Sequence, residues 1–90
     1  MRNETISLVL PVHNEAENIE SVIRSFRKEI GSRIPLQIIV AEDGSTDGTK
    51  EILNKLSVEI PMTLLMEKRR LGYMGGLQRG LREAKGDYVL

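Results

Sequence analysis

Four short apolar bursts, separated by segments of helical periodicity, constrain this chain more than any other feature of it. "ISLVL" (Ile6 to Leu10), "LQIIVA" (Leu36 to Ala41), "MTLLM" (Met62 to Met66) and the closing "DYVL" read as strands. They alternate little between apolar and polar residues, as strands buried on both faces do. Between the first two, Ile19, Val22, Ile23, Phe26 and Ile30 recur at steps of three and four, which predicts one apolar face of a helix. Asn14 followed by Glu17 fits its N-cap and reciprocal partner, and Gly31 is placed to end it. Ile52, Leu53 and Leu56 predict a second helix from roughly Gly48 to Ser57. Met74, Leu77, Leu81 and Ala84 predict a third, closed by Gly86. The βαβαβαβ alternation implies an α/β, Rossmann-like parallel sheet with helices on both faces and right-handed crossovers. The expected spatial order is 3-2-1-4.

Composition removes several functions. Ninety residues suffice for one small domain. Thirteen basic side chains balance 13 acidic ones, so the basic surplus of a general nucleic-acid binder is missing. Aromatics are confined to Phe26, Tyr73 and Tyr88, too few for a base-stacking platform. Without cysteine there is neither a disulfide framework nor a thiolate metal site. The opening "MRNETISLVLPV" has too short an apolar run for a signal peptide or membrane span, which favours a soluble, cytoplasmic domain. The sequon Asn3-Glu4-Thr5 reads as coincidence in that setting.

In open parallel sheets, ligands bind beyond the carboxyl ends of the strands, where strand order reverses. Three segments meet there: "PVHNE", "EDGSTDG" and "EKRRLGYMGG". Asp43, next to Glu42 at a strand end, can accept a hydrogen bond from the N–H edge of a uracil or guanine, a charge-assisted bond worth about 1.5–3 kcal/mol net. Gly44 would relax the backbone, and Ser45 and Asp47 could cap the next helix. Read alone, these acids serve equally as caps and turns. Asp43, Ser45, Asp47 and Gly48 also mimic an EF-hand loop, but its twelfth position holds Asn54 where a bidentate Glu is needed. His13, the only histidine, has no second His or Cys with which to build a zinc site. Glu15 could contact a ribose or nucleobase, or simply complement a helix dipole. Lys68, Arg69 and Arg70 before a glycine turn suit a phosphate, although no G-x-x-x-x-G-K-[ST] string occurs.

Taken in order, "ISLVLPVHNEAENI", "IIVAEDGSTDGT" and "RRLGYMGGLQRGLREAKGDYVL" resemble the donor-nucleotide half of family 2 glycosyltransferases, the inverting GT-A-fold enzymes. "NEAENI" brings to mind the branch of polyprenyl-phosphate (dolichyl-phosphate) sugar synthases. The resemblance implies that Pro11, His13 and Glu15 line a nucleobase and ribose pocket. It also implies that Asp43, with Glu42 and Ser45 beside it, reads the base, and that Arg69, Arg70 and Gly72 lie by the diphosphate. The family's R-G-x-G-x-A-x-N turn is altered here: Leu71, Met74, Gly76 and Gln78 replace its Arg, second Gly, Ala and Asn. In the family a D-x-D motif follows "GDYVL" closely and holds Mg²⁺ or Mn²⁺ on the donor diphosphate. Residues 1–90 are therefore expected to be the nucleotide-sugar-binding half of a longer transferase, with no catalytic or metal residue among them. The metal ligands would lie beyond Leu90, and the isolated chain would be inactive.

The implied partners are a UDP- or GDP-sugar and an acceptor such as polyprenyl phosphate, with the parent held at the cytoplasmic face of a membrane. Two rivals compete. A non-catalytic α/β scaffold could self-associate through the unfinished fourth strand. A nucleotidyltransferase would carry a G-G-x-G-T-R-like loop where "PVHNE" stands. A response-regulator phosphoacceptor fits less well, since it needs acids where Pro11 and Val12 stand and an aspartate at Glu67.

Overall fold

The computed structural model describes residues 4–90, so the Asn3 end of the sequon lies outside it. Strands β1 (Ile6–Val12), β2 (Leu36–Glu42), β3 (Thr63–Met66) and β4 (Tyr88–Val89) form one sheet in the order β3-β2-β1-β4, every pair parallel. Helices α1 (Ile19–Phe26), α2 (Thr49–Glu59) and α3 (Tyr73–Glu83) fill the crossovers. Pro11 is tolerated within a central strand because the N–H it lacks would face the β4 side, and β4 pairs only with the start of β1.

Strand alternation sorts the side chains onto two faces. On one, Val12, Ile38 and Val40 pack with Ile19 and Ile23 of α1 and with Leu53, Leu56 and Ile60 of α2 and its end, all buried. Helix α1 differs from expectation. Its N-cap is Asn18, without a side-chain cap bond, and Asn14 lies at φ +50°, outside the helix. Val22, Phe26 and Ile30 stay partly or largely exposed, so only the Ile19–Ile23 edge of that face reaches the core. A π-helical turn (Arg27–Gly31) continues α1 to the glycine expected to end it.

The opposite face carries α3, and here the apolar periodicity misleads. The buried residues of α3 are Gly76 and Gly80, while Met74 and Leu81 are 61% and 46% exposed. Glycines let this helix lie close against Ala41 and Val9. An added Cβ at Gly76 would meet Ala41 Cβ at an ordinary 3.6 Å, whereas one at Gly80 would run into Val9 Cγ1. Val9 is buried and β-branched, so it yields poorly. Gly80→Ala is therefore expected to leave the protein about 1–3 kcal/mol less stable than Gly76→Ala, measured by urea unfolding.

At the foot of the same face, buried Ser7 and its neighbour Gln37 hold the exit of α3. Ser7 Oγ donates to Gln37 Oε1 (2.6 Å) and accepts from the N–H of Gly86 (2.7 Å). The N–H of Lys85 reaches Gln37 Oε1 at 2.8 Å. A side chain at Gly86 would overlap Ser7, with its Cβ 2.7 Å from the Ser7 nitrogen, so the chain can pass this close only with glycine there.

Candidate functional site

At the carboxyl ends of β1 and β2, alternation again decides what faces what. Ala41 and Asp43 stand on the α3 face with Pro11, whereas Glu42 turns to the other. A cleft of about 180 Å³ opens between these strand ends and the start of α3. Pro11, His13, Glu15, Asp43, Arg70 and Gly72 line it, together with Val12, Ala41, Tyr73 and Gly76. The geometric core of the expected site is thus assembled from three loops.

Asp43 is 6% exposed, and its carboxylate holds the third loop. Oδ1 accepts from the N–H of Leu71 (2.5 Å) and Oδ2 from that of Gly72 (2.8 Å); Arg70 Nε stands 3.8 Å from Oδ2. Burial pushes the acid upward most strongly, but the two N–H donors, then Arg70 and His13, together bring it below its ordinary value. A depressed folded-state value means that Asp43 contributes stability in full above the unfolded carboxylate pKa and loses it as pH falls through the folded value. Below about pH 4, stability should therefore fall less steeply in Asp43→Asn than in the wild type, measured by thermal unfolding across pH.

Gly44, at φ +65°, lies directly beneath the same loop. A Cβ there would sit 2.6 Å from Arg70 N and 2.7 Å from Arg69 C. Glycine is needed for two reasons at once, handedness and space.

The first and second loops are stitched together by hydrogen bonds. His13 Nδ1 lies 2.6 Å from the Asp43 carbonyl, which makes it the protonated nitrogen, and Nε2 faces Asn14 Nδ2 at 3.3 Å. Asn14 Oδ1 accepts from the N–H of Thr46 (2.8 Å), and Ser45 Oγ accepts from the N–H of Asn14 (2.9 Å). This cross-bracing explains why Asn14 is not a cap. The N-cap of α2 is Gly48, so neither Ser45 nor Asp47 holds that position; Asp47, just before it, accepts from the N–H and hydroxyl of Thr49 and from the N–H of Ala16.

Glu42 and Ser45 do not line the cleft. Fully buried, Glu42 accepts the Ser45 N–H with Oε2 and lies 3.8 Å from Lys50 Nζ. Consecutive strand residues point to opposite faces, so an acidic pair at a strand end cannot put both carboxylates on one ligand. Arg69 also stays off the cleft lining, while Arg70 and Gly72 are on it. Sequence reasoning passed over Lys50 and Arg79. Lys50 Nζ donates to the Glu67 carbonyl (2.6 Å), and Arg79 Nη1 pairs with the Glu67 carboxylate (2.5 Å). Both brace the start of the third loop, and no motif marks them.

A larger hollow of about 390 Å³ lies among Arg24, Arg27, Lys28, Gly31, Ser32 and Ile60. These residues precede β2 and β3, at the opposite end of the sheet from the switch point, and Arg24 is already paired with Glu20 and Glu59. Among the described residues, no group of three His, Asp or Glu could hold a metal ion. Asp43 and Asp47, which share an EF-hand spacing, direct their oxygens to separate loops and do not converge on one point. No helix of the described residues is long and apolar enough to cross a membrane.

Comparison with known proteins identifies the family and the fold. The model for "Glycosyl transferase family 2" matches residues 7–90. The chain belongs to that family. Glycosyltransferase AglD of Haloferax volcanii is 38% identical over 89 residues, covering 94% of this chain but 14% of the relative. The dolichol-phosphate mannosyltransferase of Pyrococcus furiosus is 29% identical, covering 91% of this chain and 23% of the relative. Among solved structures, mannosyltransferase PcManGT from Pyrobaculum calidifontis, in complex with GDP-Man and Mn²⁺, superposes with a TM-score of 0.85 at 28% identity. That match covers 99% of this chain and 27% of the other. Staphylococcus aureus TarS, at 23% identity and a TM-score of 0.82, shares the fold. The chain spans roughly a seventh to a quarter of the length of these relatives. The GT-A fold and the strand order expected from the sequence are both present in this glycosyltransferase-family chain.

Proposed function

We propose that these residues recognise the nucleotide of a UDP- or GDP-sugar within an inverting glycosyltransferase. The observation that carries the reading is the convergence of Pro11, His13 and Asp43, from the carboxyl ends of two strands, on one cleft at the switch point. An Asp43 held ionised can accept the ring N–H of uracil or guanine, while Pro11 and Ala41 offer an apolar floor. Arg70 and the first turn of α3 after Gly72 then lie on the side where a diphosphate would follow. Glu15 stands where a ribose hydroxyl could be bound.

In the wider enzyme, the sugar would pass to the acceptor by direct attack of a hydroxyl or phosphate oxygen on the anomeric carbon. Polyprenyl phosphate is the acceptor class suggested by the dolichol-phosphate relative. A divalent cation would neutralise the departing diphosphate, a role suggested by the complex of PcManGT with GDP-Man and Mn²⁺. Among the described residues, no group of three His, Asp or Glu could hold such an ion. Titration of UDP and GDP, followed by amide chemical shifts, tests the base site. Saturable shifts at Val12, His13, Asp43 and Gly44 are expected with one of the two. Silence at all four at millimolar nucleotide would remove the proposal.

A second reading, self-association, draws on the β4 edge, where Tyr88, Val89 and Leu90 are 55%, 50% and 58% exposed. Sedimentation across concentration should show a dimer if that edge pairs, and a monomer throughout if it does not.

A further inference from the structure

We propose that Asp43 couples base recognition to the position of the third loop: an arriving base N–H competes for the carboxylate oxygens now engaged by Leu71 and Gly72, and so loosens those two backbone donors. This rests on the nucleotide-site reading above. Three observations support it. First, both Asp43 oxygens are engaged by that loop, at 2.5 and 2.8 Å, so a base N–H that reaches the carboxylate shares its oxygens with those bonds. Second, Arg70 of the same loop lines the cleft and its Nε stands 3.8 Å from Asp43 Oδ2, so the loop and the carboxylate share one wall of the cleft.

Third, the loop is pinned unequally. Its start is tied down by Lys50 on the Glu67 carbonyl, by Arg79 on the Glu67 carboxylate, and by the close contact of Arg69 and Arg70 with Gly44. Its end has the Asp43 bonds and then Gly72, at φ +96° and ψ 162°, with no atom within 4 Å of the position a Cβ would occupy. Gly72 is thus a hinge with room to turn, and Leu71 beside it is 54% exposed, so a released N–H meets water at once.

One base N–H cannot replace two loop N–H groups bond for bond, so its arrival weakens the Leu71 and Gly72 bonds by competition for the same two oxygens. The loosened N–H groups of Leu71 and Gly72 lie at the start of α3, where the dipole favours an anion. Base capture would in this way prepare the donors that the diphosphate uses, and a nucleotide would be held more tightly than its separate parts suggest.

Amide hydrogen exchange at Leu71 and Gly72, read by NMR on this chain, tests the coupling with uridine and guanosine against UDP and GDP. Binding of a nucleoside, registered by shifts at Val12 and His13, should accelerate exchange at Leu71 and Gly72 about tenfold. The matching nucleotide should restore the protection. A nucleoside that shifts Val12 and His13 with exchange at Leu71 and Gly72 unchanged would overturn the coupling and leave the base site standing. A site that answers to nucleotides but to neither nucleoside at saturation also overturns it, since the base alone then cannot take the carboxylate. Absence of any shift at Val12 and His13 with all four compounds would remove the base site itself, and the coupling with it.

Discussion

Gly44→Ala should lower stability by about 2–4 kcal/mol and weaken nucleotide binding at least tenfold. Two costs combine at this position. A side chain at φ +65° pays about 1–2 kcal/mol for left-handed backbone. Its Cβ would also stand 2.6 Å and 2.7 Å from the backbone of Arg70 and Arg69, which has no flexible side-chain end to withdraw. The third loop must therefore lift, and the Asp43 bonds to Leu71 and Gly72 stretch with it. Gly48→Ala supplies the contrast. Gly48 has φ +98°, but the nearest atom to its added Cβ is Glu51 Oε2 at 4.0 Å, so only the conformational cost of about 1–2 kcal/mol applies. Urea unfolding and nucleotide titration on both variants separate strain from collision. Similar losses in the two would show that the close approach of the loop matters little.

Asp43→Ala has the second large expected effect, on binding more than on folding. One charge-assisted bond to a base is worth about 1.5–3 kcal/mol, so nucleotide affinity should fall on the order of 10- to 100-fold. The loss should be selective. Compounds with the same phosphates but without a ring N–H to donate should lose little, since the carboxylate does nothing for them. Calorimetric titration of UDP or GDP against inorganic pyrophosphate, in wild type and variant, reads that selectivity. An equal loss for both would mean that Asp43 acts only by holding the Leu71–Gly72 backbone.

Much of this was readable from residue order because the fold is built from local signals. Apolar bursts such as "LQIIVA" and punctuation at Gly31 and Pro35 locate strands and turns without knowledge of the partner strands. The expected strand order, 3-2-1-4, is the one observed. What escaped depends on tertiary approach. Leu81 and Met74 looked like the buried stripe of α3, yet proximity to Val9 and Ala41 selected Gly80 and Gly76 instead, a choice that helical periodicity cannot express. Asn14 looked like a cap because Glu17 follows at the right spacing. In the fold its carboxamide is taken by the Thr46 backbone, 32 positions away. Glu42 was grouped with Asp43 by adjacency, and the pleat separates them. Pro11, His13, Glu15, Asp43, Arg70 and Gly72, which line the cleft, lie in segments that the sequence places beyond the strand ends. Arg79 and Lys50, which act through Glu67, carried no local signal.

The most direct measurement is a crystal structure of this chain with UDP or GDP bound. The base should lie over Pro11 and Ala41 with a ring N–H within hydrogen-bond distance of an Asp43 oxygen, and the phosphates should turn toward Arg70 and Gly72. A nucleotide found instead in the basic hollow of Arg24, Arg27 and Lys28, with the Asp43 cleft empty, would contradict the account.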